Sequence, residues 1–119
     1  MFSIKIESHF SAAHNLRGYR GKCEELHGHN WKIEVELAKD KLDKSGMVLD
    51  FRYLKQKLNQ VLEKLDHKYL NNLAYFKKSN PTSENIARYI YDSLKAQAPS
   101  LKSVTVWESD NCSASYYGE

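Results

Sequence analysis

Two stretches in which apolar and polar residues alternate constrain the fold of this chain more than any other feature. Apolar side chains occupy every second position from Phe2 to Ile6 and again from Ile33 to Leu37. Successive side chains of a strand point to opposite faces, so both stretches predict strands with one buried face. The segment 14–29 between them contains three glycines and no sustained apolar period, and it is expected to be largely loop.

The second half of the chain predicts two helices followed by two strands. Between Asp50 and Leu65 apolar residues recur at spacings of three and four, which places them on one helical face. KKSNPTSE supplies hydroxyl residues suited to a helix N-cap, and the helix after it is expected to stop near Pro99. KSVTVWES and SASYYG are typical of strands. This order predicts an α+β fold whose helices cover one face of an antiparallel sheet.

Composition narrows the class of protein. A length of 119 residues fits a single domain, 1–119, since domains commonly hold roughly 100–150 residues. The net charge of +3 is spread along the chain, which weakly favours an anionic ligand and disfavours nucleic-acid binding. The N-terminus lacks a signal-peptide core, and no segment approaches the ~20 apolar residues that cross a bilayer, so we expect a cytoplasmic protein without membrane contact. Two cysteines, Cys23 and Cys112, are too few for a disulfide scaffold.

Three histidines predict a metal site. His27 and His29 alternate at the start of the second strand and can present two imidazoles to one ion. His14, at the end of the first strand, reaches the same place if the two strands pair as a hairpin. Three imidazoles with an open fourth position are typical of catalytic zinc. The isolated His9 is predicted to be an ordinary surface residue or a hydrogen-bonded core residue.

Cys23 has two interpretations that its spacing does not separate. It lies four residues before His27, so it could complete a closed structural zinc site. Unbound, it would lie near a cation and a histidine, which lower a thiol pKa and favour a thiolate base or nucleophile. Cys112 has no comparable neighbours and is predicted to be structural or incidental.

Asp66, His67 and Glu108 are candidates for acid–base and binding roles. An Asp beside a His can fix its tautomer and raise its basicity, although a histidine at a helix C-terminus would also explain His67. Glu108 lies on the same strand face as Val104 and Val106, where a carboxylate should be paired or should meet a ligand with two adjacent donors. A strand-end glutamate in solvent is the alternative.

These residues sit in motifs that resemble one family, the 6-pyruvoyl- and 6-carboxy-tetrahydropterin synthases. The resemblance covers Phe10 to Glu119 and rests on FSAAH, CEELHGHN, GMVLDF, LDHKYLN, NPTSENIA, WES and the terminal YYGE. It implies a tunnel fold (T-fold), with a four-stranded antiparallel sheet and two helices packed on one face. It also implies trimers that close a barrel, pair into homohexamers and form active sites between subunits.

The resemblance assigns roles to particular residues. It implies that His14, His27 and His29 bind Zn²⁺ and that Cys23, Asp66 and His67 transfer protons. Glu108 would anchor a pterin ring, with nearby contributions from the residues Thr82, Ser83 and Glu84.

The implied substrate is 7,8-dihydroneopterin triphosphate. CEELHGH and NPTSE are similar to the carboxy-forming branch, which releases 6-carboxy-5,6,7,8-tetrahydropterin, acetaldehyde and triphosphate on the way to 7-deazaguanine nucleosides such as queuosine. A pyruvoyl-forming enzyme with the same site remains the alternative. A non-enzymatic module in which Cys23 closes a structural zinc site is the other.

Overall fold

The computed structural model describes residues 1–18 and 25–118, so the predicted role of Cys23 falls outside the described residues. The strands are β1 (Phe2–His14), β2 (His27–Lys39), β3 (Lys68–Tyr69), β4 (Leu101–Ser109) and β5 (Cys112–Tyr117). The helices are α1 (Phe51–Leu62), α2 (Tyr75–Lys78) and α3 (Ser83–Leu94), with a short 3₁₀ turn at Leu70–Asn72.

The strands form one sheet in the order β3-β1-β2-β4-β5. β1 and β2 pair antiparallel along their whole length, from Phe2 opposite Lys39 to His14 opposite His27. β4 pairs with β2 and β5 with β4, also antiparallel. The predicted α+β architecture is confirmed, but the count of four strands was too low. The fifth strand, β3, holds two residues parallel to β1, too few to show an alternating pattern.

Both main helices begin at side-chain caps. Asp50 accepts a hydrogen bond from the Arg52 N–H at the start of α1, and Thr82 accepts one from the Asn85 N–H at the start of α3. α1 ends at Leu62, earlier than the apolar spacing predicted, because the chain turns before Leu65 while keeping that side chain buried.

The core lies between one sheet face and these helices. Trp31, Ile33, Val35 and Leu37 are at most 1% exposed and face it from β2. The intervening residues of β2 are partly exposed, which leaves the other sheet face polar. His14 is only 1% exposed, so the buried face ends at an imidazole. None of the helices within the described residues is long and apolar enough to span a membrane.

Candidate metal centre and adjoining cavity

Four side chains from three strands converge at one end of the sheet. His14 ends β1 and is the register partner of His27 at the start of β2. His29 lies two residues further along, on the same face, and Glu108 comes from the end of β4. Their ligand atoms all lie within 4.8 Å of one another. The structure thus brings together the three histidines predicted as ligands and adds Glu108, which the sequence had placed at a substrate instead.

Two of the rings are oriented by backbone carbonyls. The Nδ1 of His14 lies 2.7 Å from the Pro81 carbonyl oxygen, and the Nδ1 of His27 lies 2.8 Å from that of Glu25. A carbonyl can only accept, so each Nδ1 carries the proton and each neutral ring presents a lone pair at Nε2. These two Nε2 atoms are 2.9 Å apart. Two lone pairs at this distance repel unless a proton or a metal ion lies between them.

His29 and Glu108 complete the cluster. The Glu108 Oε1 lies 3.4 Å from the Nε2 of His14 and 3.2 Å from the Nε2 of His29. The His29 Nε2 is buried and makes no hydrogen bond to any of the described residues. A buried nitrogen without a partner is costly. A group of imidazole nitrogens and one carboxylate fits a divalent cation, and zinc suits this donor set.

Burial keeps two of these rings neutral. It is the main cause of a lowered pKa for both His14 and His29, and the neighbouring histidines lower the pKa further. The hydrogen bond to the Pro81 carbonyl raises the pKa of His14, and the charge of Glu108 raises the pKa of both His14 and His29. Neutral imidazole is the form that binds a metal ion.

The lowered pKa values predict acid sensitivity of the metal-free protein. The unfolded chain binds protons at these histidines near the ordinary value of about 6.5, and the folded chain does so only at lower pH. Stability is therefore full above that value and is expected to fall as the pH drops through it. Urea unfolding at pH 7.5 and 5.5 checks this, and His29→Gln should reduce the difference. Equal stability at both pH values in the unaltered protein would contradict it.

Asp66 and His67 form a second pair of candidate residues. The Asp66 Oδ2 lies 3.0 Å from the His67 Nδ1, and its Oδ1 accepts a 2.9 Å hydrogen bond from the Ser11 N–H. This bond from Ser11 is the main cause of a lowered Asp66 pKa, and His67 lowers it further. The His67 N–H donates to the Ser11 carbonyl at 2.6 Å, which ties the pair to β1. His67 lies five residues beyond the last residue of α1, which argues against a simple helix-end role.

His67 has an unusual backbone conformation. Its φ of 57° makes it the one non-glycine residue with a positive φ among the described residues. Its side chain is 81% exposed, although Asp66 holds its ring. A residue held in this region against its usual preference is often found at a functional site.

One residue of the histidine cluster and one of the Asp66–His67 pair line the same open cavity, which has a volume of about 580 Å³. His29 lines it from β2, while His67 lines it from the turn before β3. Polar side chains without an assigned role complete part of the wall, namely Ser11, Asn30, Lys68 and Tyr69. No local pattern in the sequence pointed to these four, and Lys68 and Tyr69 reach the wall only because β3 pairs beside β1.

The remaining predicted residues lie at the start of α3. Thr82 is its N-cap, and Glu84 is an exposed acidic residue in its first turn. Both follow Pro81, whose carbonyl contacts His14, but neither they nor Ser83 lines the 580 Å³ cavity. The structure therefore places this segment beside His14 and outside the cavity that His67 lines.

Comparisons with known proteins agree with the fold. A family model described as 6-pyruvoyl tetrahydropterin synthase matches residues 3–119. A 6-carboxy-5,6,7,8-tetrahydropterin synthase of Synechocystis sp. is 41% identical over 123 residues, covering 98% of this chain and 94% of the relative. A dihydroneopterin monophosphate aldolase of Pyrococcus furiosus is 36% identical over 108 residues, 88% of each chain. The solved Caenorhabditis elegans 6-pyruvoyl tetrahydropterin synthase superposes with a TM-score of 0.90 at 32% identity, covering 99% of this chain and 96% of that one. This likeness confirms the predicted T-fold.

Proposed function

The chain belongs to the 6-pyruvoyl tetrahydropterin synthase family, and we propose that it is a zinc-dependent lyase acting on 7,8-dihydroneopterin triphosphate. As a member of this family it is an enzyme, a lyase. With the uptake of water, the reaction would yield 6-carboxy-5,6,7,8-tetrahydropterin, acetaldehyde and triphosphate. One observation carries the proposal: three imidazole nitrogens and the Glu108 carboxylate lie within 4.8 Å of one another, and the His29 Nε2 has no hydrogen-bond partner among the described residues.

His14, His27 and His29 would hold the zinc ion. When bound there, zinc supplies Lewis-acid polarisation of a substrate hydroxyl oxygen, which lowers the cost of removing a proton from the adjacent carbon. Glu108 is 35% exposed at the margin of this group, so its carboxylate is accessible to a ligand. A pterin ring edge offers two adjacent N–H donors, which suit a carboxylate.

His67 is the proposed proton carrier on the cavity side. Its Nδ1 faces the Asp66 Oδ2, which leaves Nε2 as the nitrogen that takes or gives a proton. Asp66 is held in turn by the Ser11 N–H, so the ring is anchored to the strand that ends in His14. Cys23 is proposed to serve the opposite side of the substrate as a thiolate. We further place the reaction in 7-deazaguanine synthesis, as in the queuosine pathway.

The same site could deliver other products. The pyruvoyl-forming reaction is the first alternative, because the similar nematode protein carries that name. The Pyrococcus relative is named for an aldolase that takes dihydroneopterin monophosphate, so the number of phosphates on the substrate is a second variable. CEELHGH and NPTSE, together with the Synechocystis relative, favour the carboxy-forming reaction.

Product analysis separates these possibilities. The zinc-loaded protein is incubated with dihydroneopterin triphosphate, and in parallel with the monophosphate, and the products are identified by mass. Carboxy-tetrahydropterin and acetaldehyde from the triphosphate are expected. Pyruvoyl-tetrahydropterin, or turnover of the monophosphate alone, would replace the proposed reaction with the corresponding alternative. Unchanged substrates would favour a non-enzymatic zinc module.

Cys23→Ala tests the role of the thiol. The three histidines can hold zinc without it, so the variant is expected to keep one zinc per chain and its melting temperature. Turnover is expected to fall roughly 10²–10⁴-fold, the usual contribution of a positioned acid or base. Zinc content and single-turnover rates are the measurements, with Cys112→Ala, an exposed cysteine, as the matched control. Loss of zinc and unfolding of Cys23→Ala would instead make Cys23 a structural ligand.

We also propose that the chain acts in the cytoplasm as a homohexamer, a dimer of trimers, from a single domain spanning 1–119. Two features support assembly. β3 and β5 form the edges of the sheet within the described residues, so their outer backbone groups are available to another subunit. The cavity is also open and lined by few residues, which suits a site completed by a neighbouring chain.

A further inference from the structure

We propose that Asn71 and Asn80 are positioning residues that set the orientation of the His14 ring. Both belong to motifs noted in the sequence, LDHKYLN and NPTSENIA, yet neither has a part in the chemistry described above. This role rests on the proposed function, because it treats His14 as a metal ligand.

Asn71 pairs with the backbone directly after His14. Its Oδ1 accepts from the Asn15 N–H at 3.0 Å, and its Nδ2 donates to the Asn15 carbonyl at 2.8 Å. The side chain thus satisfies both backbone groups of one residue, as a neighbouring strand would. Asn71 is only 6% exposed, so water competes little for these bonds. The two peptide groups on either side of the Asn15 Cα are held in position as a result.

Asn80 makes the same kind of pair two residues further along. Its Oδ1 accepts from the Arg17 N–H at 3.0 Å, and its Nδ2 donates to the Arg17 carbonyl at 2.8 Å. The Arg17 side chain also binds the segment before Asn80, because its guanidinium donates to the Phe76 carbonyl and to the Ser79 carbonyl. Residues 15–17 are therefore tied to the segment 71–80 at both ends.

These ties matter because the next residue, Pro81, supplies the acceptor for His14. The Pro81 carbonyl lies 2.7 Å from the His14 Nδ1 and fixes which ring nitrogen carries the proton. With the asparagine pairs in place, the end of β1 and the residue before α3 cannot drift apart. His27 has a different acceptor, the Glu25 carbonyl, which neither asparagine contacts. The two asparagines should therefore affect the orientation and tautomer of the His14 ring and have no effect on the His27 ring.

Ring tautomers in the metal-free protein test this directly. Long-range ¹H–¹⁵N spectra should show the Nδ1–H form for both His14 and His27 in the unaltered protein. Asn80→Ala is the main variant, because Asn80 is only half-buried, and Asn71→Ala is the second. Both are expected to give a mixed tautomer at His14 and an unchanged one at His27. Asn59→Ala removes a remote bond to Ser8 and serves as the control.

Zinc affinity provides an independent measurement. Competition with a chromophoric chelator is expected to show binding about 10-fold weaker in Asn80→Ala and unchanged in Asn59→Ala, since loss of an outer partner costs 10–100-fold. An unchanged His14 tautomer, an equal change at His14 and His27, or unaltered zinc affinity would overturn the positioning role. If the unaltered protein binds no zinc, the proposed function fails, while the tautomer spectra still decide the role of the asparagines.

Discussion

His27→Ala is expected to abolish stoichiometric zinc binding and to reduce turnover to background. It removes one of the three imidazoles proposed as ligands, so affinity should fall by more than the roughly 10–100-fold that loss of an outer partner costs. In the unaltered protein, zinc at 1,000 times its Kd should stabilise the fold by roughly 4 kcal/mol. The variant should gain no such stabilisation.

The metal-free variant should behave differently from an ordinary destabilised mutant. His27 is half-buried and its Nε2 faces that of His14 at 2.9 Å, so its removal relieves a repulsion between two lone pairs. The metal-free form is therefore expected to unfold at the same urea concentration as the unaltered protein, or a higher one. Zinc content and urea unfolding with and without zinc are the measurements. His9→Ala, an exposed histidine of β1, is the control, and a His27→Ala protein that kept one zinc per chain would refute the ligand assignment.

His67→Asn is expected to lower turnover roughly 10²–10⁴-fold while leaving zinc content unchanged. An imidazole can act as a general acid or base, whereas the amide of asparagine cannot. Asparagine is the appropriate replacement, because it tolerates a positive φ better than other non-glycine residues, and the φ here is 57°. The side chain is 81% exposed, so the fold should persist.

Rates and zinc content distinguish a proton carrier from a structural residue. The rate under saturating substrate should fall with little change in KM, while zinc content stays at the level of the unaltered protein. His9→Asn is the matched control, since it exchanges an exposed histidine of β1 without touching the cavity of His67. A His67→Asn enzyme with an unaltered rate would exclude this residue as the acid or base.

The grouping of the three candidate metal ligands was predictable from sequence because it follows from local rules. A strand places alternate residues on one face, which joins His27 to His29. A hairpin between the first two strands then brings His14 beside His27, as the register shows. Glu108 was predicted to lie on the apolar side of its strand, and it does. Its contact with the histidines depends on how β4 pairs with β2, a long-range register that no local pattern encodes.

The features that the sequence did not predict are those set by chain reversals and by contacts between residues far apart in the chain. The apolar spacing carried the first helix to Leu65, but the chain leaves the helix at Leu62 and reaches a positive φ at His67. Because of that turn, His67 lines the 580 Å³ cavity. No local pattern pointed to Asn71 and Asn80, because their partners lie 56 and 63 positions away.

Zinc K-edge X-ray absorption of the zinc-loaded protein tests the central claim most directly, namely that imidazoles hold the metal and Cys23 does not. Zinc–nitrogen bonds are about 2.0–2.1 Å long and zinc–sulfur bonds about 2.3 Å, so the two are readily separated. The expected result is one zinc per chain with a nitrogen and oxygen shell near the shorter distance and the pattern of three imidazoles. A sulfur atom at the longer distance, or a shell without imidazole, would contradict it.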